Sequence, residues 1–324
     1  MRWGFLGAGF VASRALAPAV HAAPGARLQA VAARDRARAE GLEPQHALDT
    51  YQEVVESSDV DAVYISLTNE AHLPWIVAAL DAGKHVLCEK PLTLDATQCA
   101  EAFAVADDRS RLLVEATWTR WHPRHRRADQ LLGSGAAGAV RSVEAAFTFT
   151  GVPERNYRLD PRRGGGALLD VGPYLLWPVV DWCHATWTSM SGSSAVGSGV
   201  DLTTSAVLRA TDCVARLQAS IVEPERQALR ITAETLALDW STPAFTSWHA
   251  PSTLTITEDG SEWSEQFAPC DPYQIMVEDV SRAILGEEPD FLPSAAQSRA
   301  AAELLDQVAA AVTAPHHAPA AGSP

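Results

Sequence analysis

From residue 2 to about 122, short apolar runs alternate with longer stretches of helical period. The runs at 3–6, 28–33, 62–67, 85–88 and 112–115 predict strands, and 10–21, 72–82 and 96–107 predict helices, with Gly83 suited to the left-handed position past the second helix. Strands alternating with helices predict repeated βα units and a doubly wound parallel sheet. After about 123 the texture changes. A helical stretch at 124–132 precedes strand-like runs at 140–150, 203–209, 213–221 and 228–233, interrupted by a helix at 167–183 and closed by helices at 273–285 and 295–312. Strands adjacent in sequence usually pair, so this half predicts a mostly antiparallel sheet. The expected fold class is therefore α/β, with one unit at 1–122, a second at 123–312, and a tail at 313–324 that its Ala, Pro and His content marks as disordered.

With 324 residues the chain is long enough for two such units, and 47% hydrophobic against 20% charged residues is the balance of a folded protein. Twenty-five Lys and Arg stand against 40 Asp and Glu, a net charge of −15, which repels nucleic acid. No apolar run is long enough for a membrane span, and Met1-Arg2 leads straight into the first strand, so a cytoplasmic protein is expected. Cys88, Cys99, Cys183, Cys213 and Cys270 are scattered and predict neither a disulfide framework nor a structural zinc site; no metal site is expected.

Gly7-Ala8-Gly9-Phe10-Val11-Ala12 fits G-x-G-x-x-A directly after an apolar run and at the start of a helix. Gly7 allows the tight turn, Gly9 lets backbone approach a pyrophosphate, and the helix N-terminus offers free N–H groups. Where an acid would read the ribose of NAD stands Ala33, followed by Arg34, with Arg36 and Arg38 close behind, which favours NADP(H) over NAD(H). Asp35 either caps the following helix or reaches the ribose.

Two further elements carry chemistry. Glu89-Lys90-Pro91 ends a predicted parallel strand, so Lys90 stands at the edge where such sheets bind ligands, and Pro91 gives a rigid turn that aims it. Gly164-Gly165-Gly166 precedes Asp170 and Tyr174, which share a helix face if the helix runs through Pro173; that proline also suits a start or a kink. A phenol beside an ammonium is pushed toward ionisation and can pass the proton that accompanies hydride transfer.

These three elements, in order and at this spacing, resemble the family of glucose-fructose oxidoreductase, inositol dehydrogenase and MocA, nearest to its dihydrodiol and xylose dehydrogenase and deoxysugar ketoreductase branches. The resemblance implies an N-terminal Rossmann domain and a C-terminal α/β domain with an open antiparallel sheet used to form a dimer or higher homo-oligomer. It implies that Lys90 and Tyr174 are the catalytic pair, assisted by Asp170, with a cis bond before Pro91. Gly7, Ala8, Gly9, Phe10, Val11, Arg34, Leu67, Thr68, Asn69, His72, Glu89 and Lys90 would hold the cofactor. Trp118, Arg120, Arg163, Asp170 and Tyr174 would face the substrate, although Trp118 and Arg120 also suit domain-interface packing.

The implied activity is NADP(H)-dependent hydride transfer at a hydroxyl or keto carbon of a small sugar-like substrate. The substrate alternatives are a nucleotide-linked keto-sugar, for which Arg155, Arg158, Arg162 and Arg163 offer cations; a free aldose or polyol; and a trans-dihydrodiol, for which Trp118 and Trp121 offer an apolar wall. A nicotinamide-dependent glycosidase and a non-catalytic dinucleotide-binding regulator are the readings outside net redox chemistry.

Overall fold

In the computed structural model, which describes residues 1–313, the chain forms two sheets. The first contains β1 (Arg2–Leu6), β2 (Arg27–Ala32), β3 (His46–Leu48), β4 (Ala62–Ile65), β5 (His85–Cys88) and β6 (Leu113–Glu115). Their order is β3-β2-β1-β4-β5-β6, with every pair parallel. This is the doubly wound arrangement, and its order reverses between β1 and β4, where such sheets open a crevice at the carboxyl ends of the strands. The register sets Phe5 beside Val31 on one side and Tyr64 on the other. β4 is buried throughout, which is why it reads as a continuous apolar run rather than an alternating one.

β3 and the helix Tyr51–Glu56 lay outside the sequence expectation, while the helix Arg36–Glu40 is the one that Asp35 was expected to cap or bypass. Elements of three to six residues carry too few positions for a period to emerge. The predicted helix at 10–21 is present, but it contains a π-helical segment, Ala12–Leu16, before the α-helix Ala17–Ala22.

The second sheet contains β7 (Val140–Thr148), β8 (Ser189–Gly197), β9 (Val200–Arg209), β10 (Val214–Ser220), β11 (Arg226–Ala233), β12 (Leu236–Trp240), β13 (Ser252–Glu258) and β14 (Ser261–Phe267), in the order β14-β13-β12-β11-β7-β10-β9-β8. All pairs are antiparallel except β7 with β10 at the centre. The helix Ala167–Trp182 covers one face and packs Leu168, Val171, Leu175 and Val179 into a core shared with Val143, Phe147 and Leu217. The opposite face is open.

The last two helices tie the halves together. Helix Pro272–Ile284 follows β14 yet buries Tyr273, Met276, Val277 and Val280 in the core that contains Trp3 and Phe5 of β1. Helix Ala295–Thr313 places Leu304, Leu305 and Val308 in the second core, while Asp306 accepts the Ala96 N–H of the first unit at 2.9 Å. Thr313 is helical, and the rest of the expected tail lies outside the described residues. Among the described residues no helix is long and apolar enough to cross a membrane.

Candidate active site

The glycine loop leaves β1 at the reversal point of the first sheet. Gly7 has φ +99°, and a Cβ there would meet the Ser66 carbonyl oxygen at 2.5 Å, so the turn admits only glycine beside the end of β4. Gly9 differs. A Cβ there would approach no closer than 3.6 Å to Ser66, an ordinary contact, so the protein's own packing does not demand glycine at that position. The space above Gly9, the helix that opens at Phe10 and the 76% exposed Phe10 side chain form a cradle that fits a pyrophosphate and its dinucleotide.

At the end of β2 the carboxylate of Asp35 accepts the Ala37 N–H at 3.0 Å through Oδ1 and caps the helix Arg36–Glu40. Arg36 is held by Glu40 and Asp49. Arg34 is exposed and has no ion-pair partner among the described residues. Arg38, absent from the expected cofactor set, reaches back to the Ala8 carbonyl and so joins the end of β2 to the glycine loop.

Lys90 stands two residues past β5, and the Lys90–Pro91 peptide that follows it is cis. Its Nζ donates to the backbone carbonyl of Asp170 at 2.6 Å, stands 3.5 Å from Asp170 Oδ1 and lies 5.2 Å from the centroid of the Tyr174 ring. The loop that carries it is braced from beneath. His72, fully buried, sets Nδ1 2.9 Å from the Pro91 carbonyl and Nε2 3.3 Å from the Leu67 carbonyl, and buried Glu115 accepts the Leu92 N–H at 3.0 Å. Burial keeps the imidazole neutral with a single N–H, so His72 donates to one of these carbonyls while packing between the two loops, with no free face for a cofactor. Glu89 is buried and accepts the Tyr64 hydroxyl at 2.8 Å; burial raises its carboxyl, against the pull of Lys90.

The helix Ala167–Trp182 runs unbroken through Pro173, so Asp170 sits in its first turn and Tyr174 one turn on, along the same face. Its N-terminus has no cap of its own; Asp201 of β9 accepts the Leu168 N–H at 2.8 Å. Asn69, after β4, donates to the Gly164 carbonyl at 2.8 Å and draws the glycine triplet against the first unit. Arg158 donates through Nε to Asp170 Oδ2 at 2.7 Å. Burial alone would raise the Asp170 carboxyl, but Lys90 and Arg158 together hold it below the ordinary carboxylate range.

Trp118 is buried and donates its indole N–H to the Tyr174 oxygen at 3.0 Å, while its ring stacks on Tyr273 with centroids 4.6 Å apart. The expectation that Lys90 drives the phenol toward ionisation is reversed. Burial pushes Tyr174 up, Glu89 and Asp170 add to the rise, and the ammonium lies over the ring rather than beside the oxygen.

Packing corrects two substrate expectations, Arg120 and Trp121, and does not decide Arg163. Arg120 is 1% exposed and pairs with Asp181 through two contacts, 3.0 and 2.7 Å, with its guanidinium 3.9 Å from the Trp177 ring; it holds helices together. Trp121 is 1% exposed and packs edge-on to Phe291, so the apolar wall expected from the two tryptophans is reduced to Trp118. Arg163 is exposed and lies 3.7 Å from Asp160, which also pairs with Arg162. Arg158 is the arginine that reaches the cleft, and nothing in its spacing distinguished it from its neighbours.

Residues 1–117 match an oxidoreductase family described as GFO/IDH/MocA, NAD-binding Rossmann fold, and residues 125–237 match the GFO/IDH/MocA C-terminal domain. The chain is 36% identical over 304 residues to the D-xylose 1-dehydrogenase (NADP(+)) 2 of Haloferax volcanii, covering 89% of this chain and 91% of the relative. It is 42% identical over 180 residues to the dTDP-3,4-didehydro-2,6-dideoxy-alpha-D-glucose 3-reductase of Actinomadura kijaniata, which covers 54% of this chain and 53% of the relative. A crystal structure of a 3-ketoreductase from Actinomadura kijaniata, in complex with NADP and TDP-benzene, superposes with a TM-score of 0.85 at 29% identity, covering 96% of this chain and 97% of that one. With both halves matched and one relative aligned along nearly its whole length, the chain belongs to the GFO/IDH/MocA family of oxidoreductases.

Proposed function

We propose that the protein is an NADP(H)-dependent oxidoreductase acting on a hydroxyl or keto carbon of a sugar or sugar derivative. The observation that carries this reading is the convergence of Lys90 Nζ, Asp170 and the Tyr174 ring at the carboxyl end of β5: Nζ lies 2.6 Å from the Asp170 backbone carbonyl, 3.5 Å from its carboxylate and 5.2 Å from the ring centroid. Gly7, Ala8, Gly9, Phe10 and Val11, with Leu67 and Thr68 across the crevice, would hold the dinucleotide, and Arg34 would meet a 2′-phosphate. A dinucleotide held by these residues would supply the hydride chemistry at the substrate carbon. Tyr174 gives or takes the hydroxyl proton, Lys90 stabilises negative charge developing on the same oxygen, and Asp170 orients a neighbouring hydroxyl. The relatives described as NADP(+)-dependent or NADP-bound support the choice of cofactor.

A free aldose is the reading supported by the relative aligned along nearly the whole chain, a D-xylose 1-dehydrogenase. Of the four arginines before the glycine triplet, Arg158 pairs with Asp170, and Arg162 and Arg163 share the single carboxylate of Asp160. This segment keeps net positive charge, which favours a nucleotide-linked sugar as the second reading.

The unpaired cysteines suit a reducing compartment such as the cytoplasm. The open face of the second sheet, with a cleft of about 740 Å³ edged by Ala146, Val207 and Ala228 among charged residues, is the surface for pairing two copies. Lys90→Met and Tyr174→Phe test the core of the reading. Each should lower turnover at least a hundredfold, on the order expected for a lost general acid or charge stabiliser, with NADPH binding little changed. Parental turnover in both variants would end it. A panel of free aldoses and dTDP-linked keto-sugars, followed as net change in nicotinamide absorbance, separates the substrate classes and excludes a glycosidase with only transient oxidation.

A further inference from the structure

Tyr174 has to release its proton toward a substrate and carry the resulting charge, and the residue placed to help is not the expected lysine. The hydrogen bond of Lys90 goes to the Asp170 carbonyl, and its ammonium lies over the aromatic face. The hydrogen bond that reaches the Tyr174 oxygen comes from the Trp118 indole at 3.0 Å. Indole N–H is a donor only, so the oxygen must accept, and the phenol keeps its own proton free. Among the described residues that hydroxyl has no acceptor, which leaves the proton to be given into the cleft. The donor is held rigidly: Trp118 is 4% exposed, its ring is stacked on Tyr273 at 4.6 Å and 20°, and Tyr273 is braced edge-on by Trp248 at 5.5 Å.

Building on the role given to Tyr174 above, we propose that Trp118 is a positioning residue for catalysis, whose indole N–H holds the Tyr174 oxygen, turns its proton toward the substrate and stabilises the phenolate as it forms. A fixed donor aimed at an oxygen where charge develops acts as an oxyanion hole does, with no reorganisation at the moment of reaction. The surrounding groups make such a donor useful. Lys90 and Glu89 from the end of β5, Asp170 from the same helix, Arg158 from the preceding turn and Tyr273 from the stacked helix all face the phenol. Burial and the carboxylates Glu89 and Asp170 oppose ionisation, and the Trp118 hydrogen bond works against them.

The test removes the N–H while keeping the ring: Trp118→Phe, and a benzothienylalanine at position 118 in which sulfur replaces the indole N–H. A polyfluorinated tyrosine at position 174, whose ring fluorines bring the phenol ionisation down into the range where the protein stays folded, reports that ionisation by fluorine NMR across pH without substrate. The expected result is an upward shift of that ionisation by about one unit in both donor-less proteins, an equal shift in the basic limb of the rate profile, and roughly a tenfold to hundredfold fall in kcat with KM nearly unchanged. Trp118→His, which restores a ring N–H, should recover part of the shift. The sulfur analogue preserves shape, so loss of packing cannot mimic this outcome. An unshifted ionisation in the benzothienyl protein overturns the proposal. If Tyr174→Phe itself keeps parental turnover, it is the wider functional reading that fails.

Discussion

The ammonium of Lys90 lies over the Tyr174 ring, 5.2 Å from its centroid, and not beside the phenol oxygen. A cation above an aromatic face is attracted by the electron-rich ring, so the contact orients the lysine without itself ionising the tyrosine. The two groups are anchored separately, Lys90 by the Asp170 carbonyl and Tyr174 by Trp118. Each can therefore be probed without moving the other.

The two loop glycines should separate folding from cofactor binding. Gly7→Ala forces a Cβ into the Ser66 carbonyl at a positive φ and should lower the thermal midpoint or prevent soluble expression. Gly9→Ala meets only ordinary contacts, so its melting curve should match the parent while NADPH affinity, measured by fluorescence titration, falls tenfold or more (roughly one lost close approach, about 1.4 kcal/mol). Equal cofactor affinity in Gly9→Ala would remove the pyrophosphate from that loop.

Arg34 decides the cofactor if the end of β2 works as proposed. It is exposed and has no ion pair among the described residues, so Arg34→Ala should leave stability within about 0.5 kcal/mol of the parent. The preference for NADPH over NADH should shrink roughly tenfold, the cost of one charged contact to a phosphate. Competition binding of the two reduced cofactors gives the ratio.

Asp170 contributes a pH-dependent part of the stability. Its carboxyl is held below its unfolded value despite burial, by Lys90 and Arg158, so the contribution is fully present above about pH 4 and is lost as pH falls through the folded value. Asp170→Asn should be less stable than the parent by about 1–3 kcal/mol near neutrality. In urea unfolding at a series of acidic pH values the two proteins should converge.

Glu115 works in the opposite sense. Burial raises its carboxyl to about 7, against the hydrogen bond from Leu92, so ionised Glu115 is unfavourable in the folded protein. Stability should decline from about pH 4.5 to pH 7 and level off above, by about 3 kcal/mol if nothing relaxes. Glu115→Gln should flatten that slope. Because the Leu92 N–H bonds more strongly to the ionised carboxylate, the loop behind Lys90 should stay ordered above pH 7 even as global stability falls.

Most of the first unit was legible because its central strands are buried on both faces and its helices span several turns; β5 falls at the predicted residues. The short β3 and the edge strand β8, whose Ser and Gly positions are half exposed, gave no apolar period to detect. The glycine loop, Lys90, Asp170 and Tyr174 were legible because turn chemistry and helical spacing are local. Pro173 left the start of their helix open, and the structure resolved it through Asp201, a cap supplied from β9 thirty-three residues away.

What the sequence determined by itself was the set of chemical groups and the order of the elements that carry them, since backbone preferences and hydrophobic period act over a few neighbouring residues. Which arginine points into the cleft, that Arg120 is spent on Asp181, that His72 packs between two loops, and that the tyrosine receives its hydrogen bond from Trp118 were decided only when distant segments packed. Those assignments depend on competition among charges and donors separated by as many as 61 residues, and no local pattern encodes who wins it.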